Sequence, residues 1–168
     1  MSAPFRMEPL GGQDRSGFDC GQAELNRYFH AQVTQDIRRR ITNCFIAIDA
    51  AQESIAGYYT LASASIPTPD LPQDLTRRLP RYSSLPAVRI GRLAIEQRFQ
   101  RRGLGGALLA DAARRTLEAA PASYTLLVDA KDDQAADFYR HHGFLSIESQ
   151  PRTLFLPLAT AAKILLGG

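Results

Sequence analysis

Val88-Arg-Ile-Gly-Arg-Leu-Ala-Ile-Glu-Gln-Arg-Phe-Gln-Arg-Arg-Gly-Leu-Gly-Gly-Ala-Leu-Leu-Ala110 is the segment around which the chain is arranged. Val88, Ile90, Leu93 and Ile95 are the branched apolar residues of a buried strand. A polar turn follows, then Gln100-Arg101-Arg102-Gly103-Leu104-Gly105-Gly106, then apolar residues at helical spacing. A strand feeding a glycine-rich turn at a helix start makes an anion site. Glycines let backbone N–H groups crowd together, and the helix N-terminus carries partial positive charge. Arg101 and Arg102 add full charges, so a phosphate-bearing ligand is expected.

The loop is neither of two familiar phosphate binders. A P-loop requires Gly-Lys-Ser/Thr at the helix start, and here Ala107 follows Gly105-Gly106. A dinucleotide fingerprint requires a third glycine where Leu108 stands. On these six residues alone, a tight turn entering a helix remains an equal reading.

Composition narrows the class. A chain of 168 residues with 45% hydrophobic and 22% charged residues is expected to form one soluble globular domain spanning 1–168. No apolar run approaches the roughly 18 residues of a membrane span, and no apolar signal core stands near Met1. Cys20 and Cys44 fit neither a metal spacing nor a disulfide framework. His30, His141 and His142 likewise suggest no metal site. A reduced, cytoplasmic protein is expected, without metal and without membrane.

The net charge is only +3, but its distribution is uneven. Lys131 and Lys163 are the only lysines; every other basic residue is arginine. Arg77, Arg78, Arg81, Arg89, Arg92, Arg98, Arg101 and Arg102 face one acid, Glu96, in the same interval, and Arg38-Arg39-Arg40 forms a second cluster. Arginine's planar fork bonds two phosphate oxygens at once, so a polyanion partner and an arginine-biased solvated face are both open readings.

Along the chain, residues 4–9 read as a strand. Asp19 reads as an N-cap with Gln22 completing a capping box, and Leu25, Tyr28, Phe29 and Val33 predict a helix over about 20–37. Strands follow at 44–49 and 55–66. Pro67, Pro69 and Pro72 open a loop with a short helix near 71–80, and Pro86 closes it before the central strand. After the glycine-rich turn come a helix to about 119, a fully apolar strand at 124–130 and a helix at 133–142 closed by Gly143. Strands at 144–149 and 153–156 end the series. This order is α/β, and the crossover around the loop predicts parallel pairing of 88–95 with 124–130.

Ala135-Ala-Asp-Phe-Tyr139-Arg-His-His-Gly143-Phe144 is similar to the A-x-x-F-Y-x-x-x-G-F signature of the GNAT (GCN5-related) N-acetyltransferases. The 100–106 loop resembles that family's Gln/Arg-x-x-Gly-x-Gly/Ala acyl-CoA pyrophosphate loop. Loop, strand and signature come in the family's order over about 88–145. A narrower resemblance reaches into the first half. Phe18-Asp-Cys20-Gly21, Leu25-Asn26-Arg-Tyr28-Phe29, Gly57-Tyr58-Tyr59-Thr60-Leu61, Ile90-Gly91-Arg92-Leu93-Ala94 and Leu154-Phe-Leu-Pro157-Leu look like the GNAT toxins of bacterial toxin–antitoxin modules.

The resemblance implies a GNAT fold: a mixed sheet of about six or seven strands, a splayed parallel pair at about 88–95 and 124–130, and helices on both faces. It implies acetyl-CoA as donor. The loop Arg101, Arg102, Gly103, Leu104, Gly105 and Gly106 would hold the pyrophosphate, and the Leu93, Ala94 and Ile95 backbone would pair with the pantetheine arm. Ala135 and Asp132, where many relatives carry Asn, would line the other side. Tyr139 would protonate the leaving sulfur. On pattern alone Tyr139 reads as a core tyrosine, sharing a stripe with Ala135, Phe138 and His142.

No general base is evident. Glu96 reads as solvated in the turn, and an α-amine with pKa near 8 needs less help than a lysine near 10.4. In the toxins the acceptor is the α-amine of aminoacyl-tRNA, and its acetylation blocks translation. Arg77, Arg78, Arg81, Arg89, Arg92, Lys131 and Arg140 are the candidate RNA contacts. Arg89 and Arg92, an odd number apart, point to opposite faces of an undistorted strand. The toxin reading also implies a small antitoxin, of ribbon-helix-helix type, and a possible homodimer. Two other activities stay open: acetylation of a small-molecule amine or protein N-terminus, and CoA or RNA binding without catalysis.

Overall fold

The computed structural model describes residues 4–166. Its strands are β1 (Phe5–Pro9), β2 (Asn43–Asp49), β3 (Ser54–Pro67), β4 (Ser84–Ile95), β5 (Thr125–Asp129), β6 (Leu145–Ile147) and β7 (Gln150–Pro157). Its helices are α1 (Ala23–Arg27), α2 (Val33–Arg38), α3 (Gln73–Thr76), α4 (Leu104–Glu118), α5 (Asp133–His141) and α6 (Leu158–Ile164). The strands form one mixed sheet in the order β1-β2-β3-β4-β5-β7-β6. The one parallel pair among the described registers is β4 with β5, as the crossover rule requires. That register runs from Ala87–Thr125 to Ile90–Val128, while β4 itself goes on to Ile95.

The chain divides into two compact units. The first runs to Ala62 and takes in Gly91–Ala112. Its core is aromatic: Phe29 stacks on Tyr58 with centroids 4.3 Å apart, and Phe18 meets both rings edge-on. Val33, Ile46, Ile48 and Ile55 close around them. The second unit takes in Ser63–Ile90 and continues from Ala113. Ile66, Leu71, Leu85, Leu127, Ile147 and Phe155 form a mostly aliphatic cluster there.

Three elements differ from the sequence expectation. The helix expected over 20–37 is α1 and α2 joined by a π-helical turn, Tyr28–Gln32. Outside donors reach this segment: Arg15 Nη1 donates to the Phe29 carbonyl in the turn at 2.7 Å, and the Tyr58 hydroxyl donates to that of Leu25 in α1 at 2.8 Å. Asp19 is not the N-cap. Gln22 holds that position without a side-chain bond, and Asp19 instead accepts from Gly21 N–H and Asn26 Nδ2. Pro86 does not precede β4 but lies inside it, where its carbonyl accepts the Tyr124 N–H. The final helix α6 had no counterpart in the sequence reading. No helix among the described residues is long and apolar enough to cross a membrane.

Candidate active site

In the first unit, β4 ends at Ile95 and the chain turns through Gln97–Phe99 into the loop 100–103 and α4. Gln100 pins this turn: its Nε2 donates to the carbonyls of Ile95 (2.9 Å) and Cys20 (3.1 Å). Arg101 and Gly103 both have positive φ, 65° and 79°. A Cβ on Gly103 would meet nothing within 4 Å, so glycine serves conformation there and not space. Arg101 has no such freedom and holds a left-handed conformation at a cost of roughly 1–2 kcal/mol. Strain of this kind collects at ligand clamps.

The Ala107 N–H is bonded to the Gly103 carbonyl and opens the helical ladder. The N–H groups of Leu104, Gly105 and Gly106 therefore stand at the open N-terminus of a 15-residue helix. Leu104, Leu108, Leu109 and Ala112 anchor the helix, each at most 2% exposed. Arg101 and Arg102 are exposed beside that end, with the Arg102 guanidinium over the Phe99 ring. Donors, dipole and charges fit a pyrophosphate, and so fit CoA.

The end of β4 is shaped by two glycines. A side chain on Gly57 would come within 3.0 Å of the Ala94 carbonyl, and one on Gly91 within 2.9 Å of Thr60 Oγ1. That hydroxyl accepts the Arg92 N–H at 3.0 Å, a side chain taking a backbone acceptor's place. Glu96 is not solvated, contrary to the sequence expectation: it is 6% exposed. Its carboxylate accepts the Arg98 N–H (2.7 Å) and Arg98 Nε, capping the turn. Its own N–H donates to the Ala56 carbonyl.

In the second unit the signature forms α5. Asp132 caps it, accepting the Ala135 N–H at 2.8 Å. At the other end Gly143 has φ 97°. The Gly143 N–H donates to the Arg140 carbonyl and the Phe144 N–H to that of Tyr139, a Schellman closure. Tyr139 is 7% exposed and lies edge-on to Phe138 and Phe144. No described residue hydrogen-bonds its hydroxyl. Burial pushes its pKa above the ordinary phenol value, so the group stays protonated.

The arginines separate into two sets. Arg77, Arg78 and Arg81 are exposed on the excursion between β3 and β4. Arg89, Arg92 and Arg140 are engaged within their own units. Arg89 Nε is 3.5 Å from Asp129, an ion-pair contact, and is buried without a hydrogen bond among the described residues. The Arg92 guanidinium sits 3.5 Å from the Tyr28 ring centroid, and the Tyr28 hydroxyl donates to Asp36. Arg140 donates to Asp137, Ser146 and the Pro151 carbonyl, tying α5 to the strands after it. Lys131 is exposed before α5. Helical spacing placed Tyr28 in the core but carried no sign of Arg92; only the fold joins residues 64 positions apart in sequence.

The Acetyltransferase (GNAT) domain family model matches residues 19–153. The chain belongs to the GNAT acetyltransferases. Two curated relatives span nearly the whole GNAT chain. A tRNA-acetylating toxin of Mycobacterium tuberculosis (strain ATCC 25618 / H37Rv) is 32% identical, covering 99% of this chain and 97% of its own. A probable toxin TacT of Sinorhizobium fredii (strain NBRC 101917 / NGR234) is 26% identical, with 95% and 94% covered. Three solved structures share the fold. A tyrosine-to-phenylalanine mutant of KacT has TM-score 0.86 at 25% identity, covering 96% and 99%. AtaT complexed with acetyl-methionyl-tRNAfMet has 0.83 at 28%, covering 98% and 99%. A tyrosine-to-phenylalanine mutant of AtaT bound to the C-terminus of the antitoxin AtaR and acetyl-CoA has 0.79 at 25%, covering 96% and 98%.

Proposed function

We propose that this chain is a toxin that transfers the acetyl group of acetyl-CoA to the α-amine of an aminoacyl-tRNA and so blocks translation. The observation that carries the chemistry is the Tyr139 hydroxyl: held by a doubly capped helix, without a protein hydrogen-bond partner among the described residues, and shifted toward the protonated form. The acceptor class is supported by the relatives named for tRNA acetylation, which match end to end.

The N–H groups of Leu104, Gly105 and Gly106, with Arg101 and Arg102, bind the pyrophosphate. The backbone of Leu93, Ala94 and Ile95, beyond the β4–β5 register, pairs with the pantetheine arm. Ala135, whose N–H donates to the Asp132 side chain, is assigned to the cofactor as well. Bound acetyl-CoA supplies an acetyl group already activated as a thioester. The acceptor nitrogen forms the new C–N bond as the C–S bond breaks. Tyr139 Oη gives its proton to the departing sulfur and regains one from solvent, while the acceptor nitrogen loses its proton to water. Glu96 is given no part in the proton transfer: it is 6% exposed and its carboxylate caps the turn at Arg98.

Arg77, Arg78 and Arg81 hold RNA phosphates, with Lys131 near the signature helix. Arg89, Arg92 and Arg140 act by shaping the strands and α5 that carry the site. A small antitoxin of ribbon-helix-helix type and a homodimeric toxin complete the reading, which places the protein in the cytoplasm with its substrate. The test is direct: purified protein, labelled acetyl-CoA and total aminoacylated tRNA. Label in the RNA fraction, released by mild deacylation, is the expected result. Label absent from RNA while acetyl-CoA binds would overturn the acceptor and direct attention to small amines and protein N-termini.

A further inference from the structure

The excursion between β3 and β4 carries an open groove of about 890 Å³, lined by Thr68, Leu71, Arg77, Leu79, Arg81 and Tyr82 among others. Its floor is apolar, with Leu71 only 5% exposed. Its rim is charged. Arg77 and Arg81 line the groove and are exposed, Arg78 is exposed next to Arg77 in the chain, and none of the three has an ion pair among the described residues. Asp70 and Asp74 are the acids of the same excursion, which leaves it net positive.

Tyr82 stands among these arginines at 60% exposure. The ring is an apolar body with a polar tip and presents a flat face beside the apolar floor of the groove. Its backbone is fixed on both sides. The Tyr82 N–H donates to the Pro80 carbonyl at 2.8 Å, and the Thr68 hydroxyl donates to the Tyr82 carbonyl. The Thr68 N–H donates to the next carbonyl, that of Ser83. Only two side-chain torsions remain to be ordered when the ring meets a ligand, so contact costs little entropy.

We infer that this groove binds an unpaired nucleotide of the RNA acceptor, with the Tyr82 ring stacked on the base and Arg77 and Arg81 supplying charge to its phosphate. The inference rests on the RNA reading above and adds the part of the RNA that is gripped. An acidic peptide would use the arginines and leave the ring idle. A nucleotide uses both, because every base has a flat face and every phosphate a fork of oxygens.

The chain contains no tryptophan, so Tyr82→Trp creates a unique fluorophore at the groove. Titration with a short single-stranded CCA-ended oligoribonucleotide quenches it, and rising salt weakens the effect. In the acetylation assay Tyr82→Leu raises KM for aminoacyl-tRNA roughly 5- to 100-fold. Tyr82→Phe restores it, and acetyl-CoA binding is the same in all variants. An unquenched tryptophan with an unchanged KM in Tyr82→Leu would overturn the proposal. So would quenching by a polyglutamate peptide and not by RNA, which would make the groove a protein-docking surface. Quenching by RNA without acetyl transfer would sink the acceptor assignment and still support the nucleotide site.

Discussion

Phe144 and Tyr139 are joined twice: the Phe144 N–H donates to the Tyr139 carbonyl at 3.1 Å, and the two rings meet edge-on with centroids 5.4 Å apart. The backbone bond is the longer link of a Schellman motif, and the ring contact is the apolar pair that accompanies it. Gly143 makes both possible through its φ of 97°. The spacing of the family signature thus has a physical reading: its final Gly-Phe is the device that fixes the tyrosine four and five residues before it.

Gly143→Ala tests that device. A Cβ there meets the left-handed penalty and lies 2.9 Å from Ile164 Cδ1. The fold is destabilised by at least about 1 kcal/mol. Denaturant unfolding measures this. Because Tyr139 sits at the same helix end, kcat falls further than acetyl-CoA affinity does, and equal losses in both would contradict the positioning argument.

Tyr139→Phe separates chemistry from packing. The ring contacts survive and the hydroxyl has no protein partner among the described residues to lose, so stability changes by less than about 0.5 kcal/mol. The rate falls by about 10²–10⁴, the worth of a positioned acid. Thermal melts and steady-state kinetics on one preparation check both. A melt lowered in parallel with the rate would make Tyr139 a core residue only.

The pH profile follows from the same burial. The active form of Tyr139 is the neutral phenol, and its pKa is raised, so that form persists through pH 10. On a hydrolysis-resistant, amide-linked acceptor, kcat/KM should rise as the α-amine deprotonates near about 8. It should then stay level to pH 10. A fall between 8 and 10 would mean that another group supplies the proton.

Asp132→Ala removes the oxygen that accepts the Ala135 N–H and costs about 0.5–2 kcal/mol. Asp132→Asn keeps a capping oxygen and nearly all the stability. Chemical denaturation of the pair resolves the cap from any effect on acetyl-CoA affinity, which calorimetry measures separately. An Asn variant as unstable as the Ala variant would mean that the carboxylate charge, and not the cap, holds α5.

Where local pattern governs the backbone, the sequence was legible. The strand, loop and helix of 88–118 follow from apolar spacing and two glycines, and Gly143 announced its cap. What escaped depends on side-chain partners that apolar spacing does not reveal, some distant in sequence and some only two or three residues away. At the π-turn Tyr28–Gln32, Arg15 bonds the Phe29 carbonyl from outside the helix, and nothing in the local spacing carries that information. Glu96 reads as solvated because it stands in the turn after a strand; it is held in place by Arg98, whose N–H its carboxylate accepts, and by the Ala56 carbonyl, which accepts its own N–H. Among the candidate RNA contacts, charge alone does not distinguish Arg77, Arg78 and Arg81, which have no ion pair among the described residues, from Arg140, which also bonds Asp137, Ser146 and Pro151.

Arg101→Gly sets stability against function. The φ of 65° costs an arginine roughly 1–2 kcal/mol and a glycine nothing. Glycine's greater freedom in the unfolded chain takes back about 0.5–1 kcal/mol. The variant should therefore be as stable as the parent or up to about 1.5 kcal/mol more so. Acetyl-CoA affinity should nevertheless drop, because one full charge leaves the pyrophosphate loop, and the loss should be smaller at high salt. Denaturation midpoints and calorimetric titration at two ionic strengths give both quantities. A gain in stability with unaltered affinity would mean that the left-handed turn, and not its side chain, is what the cofactor requires.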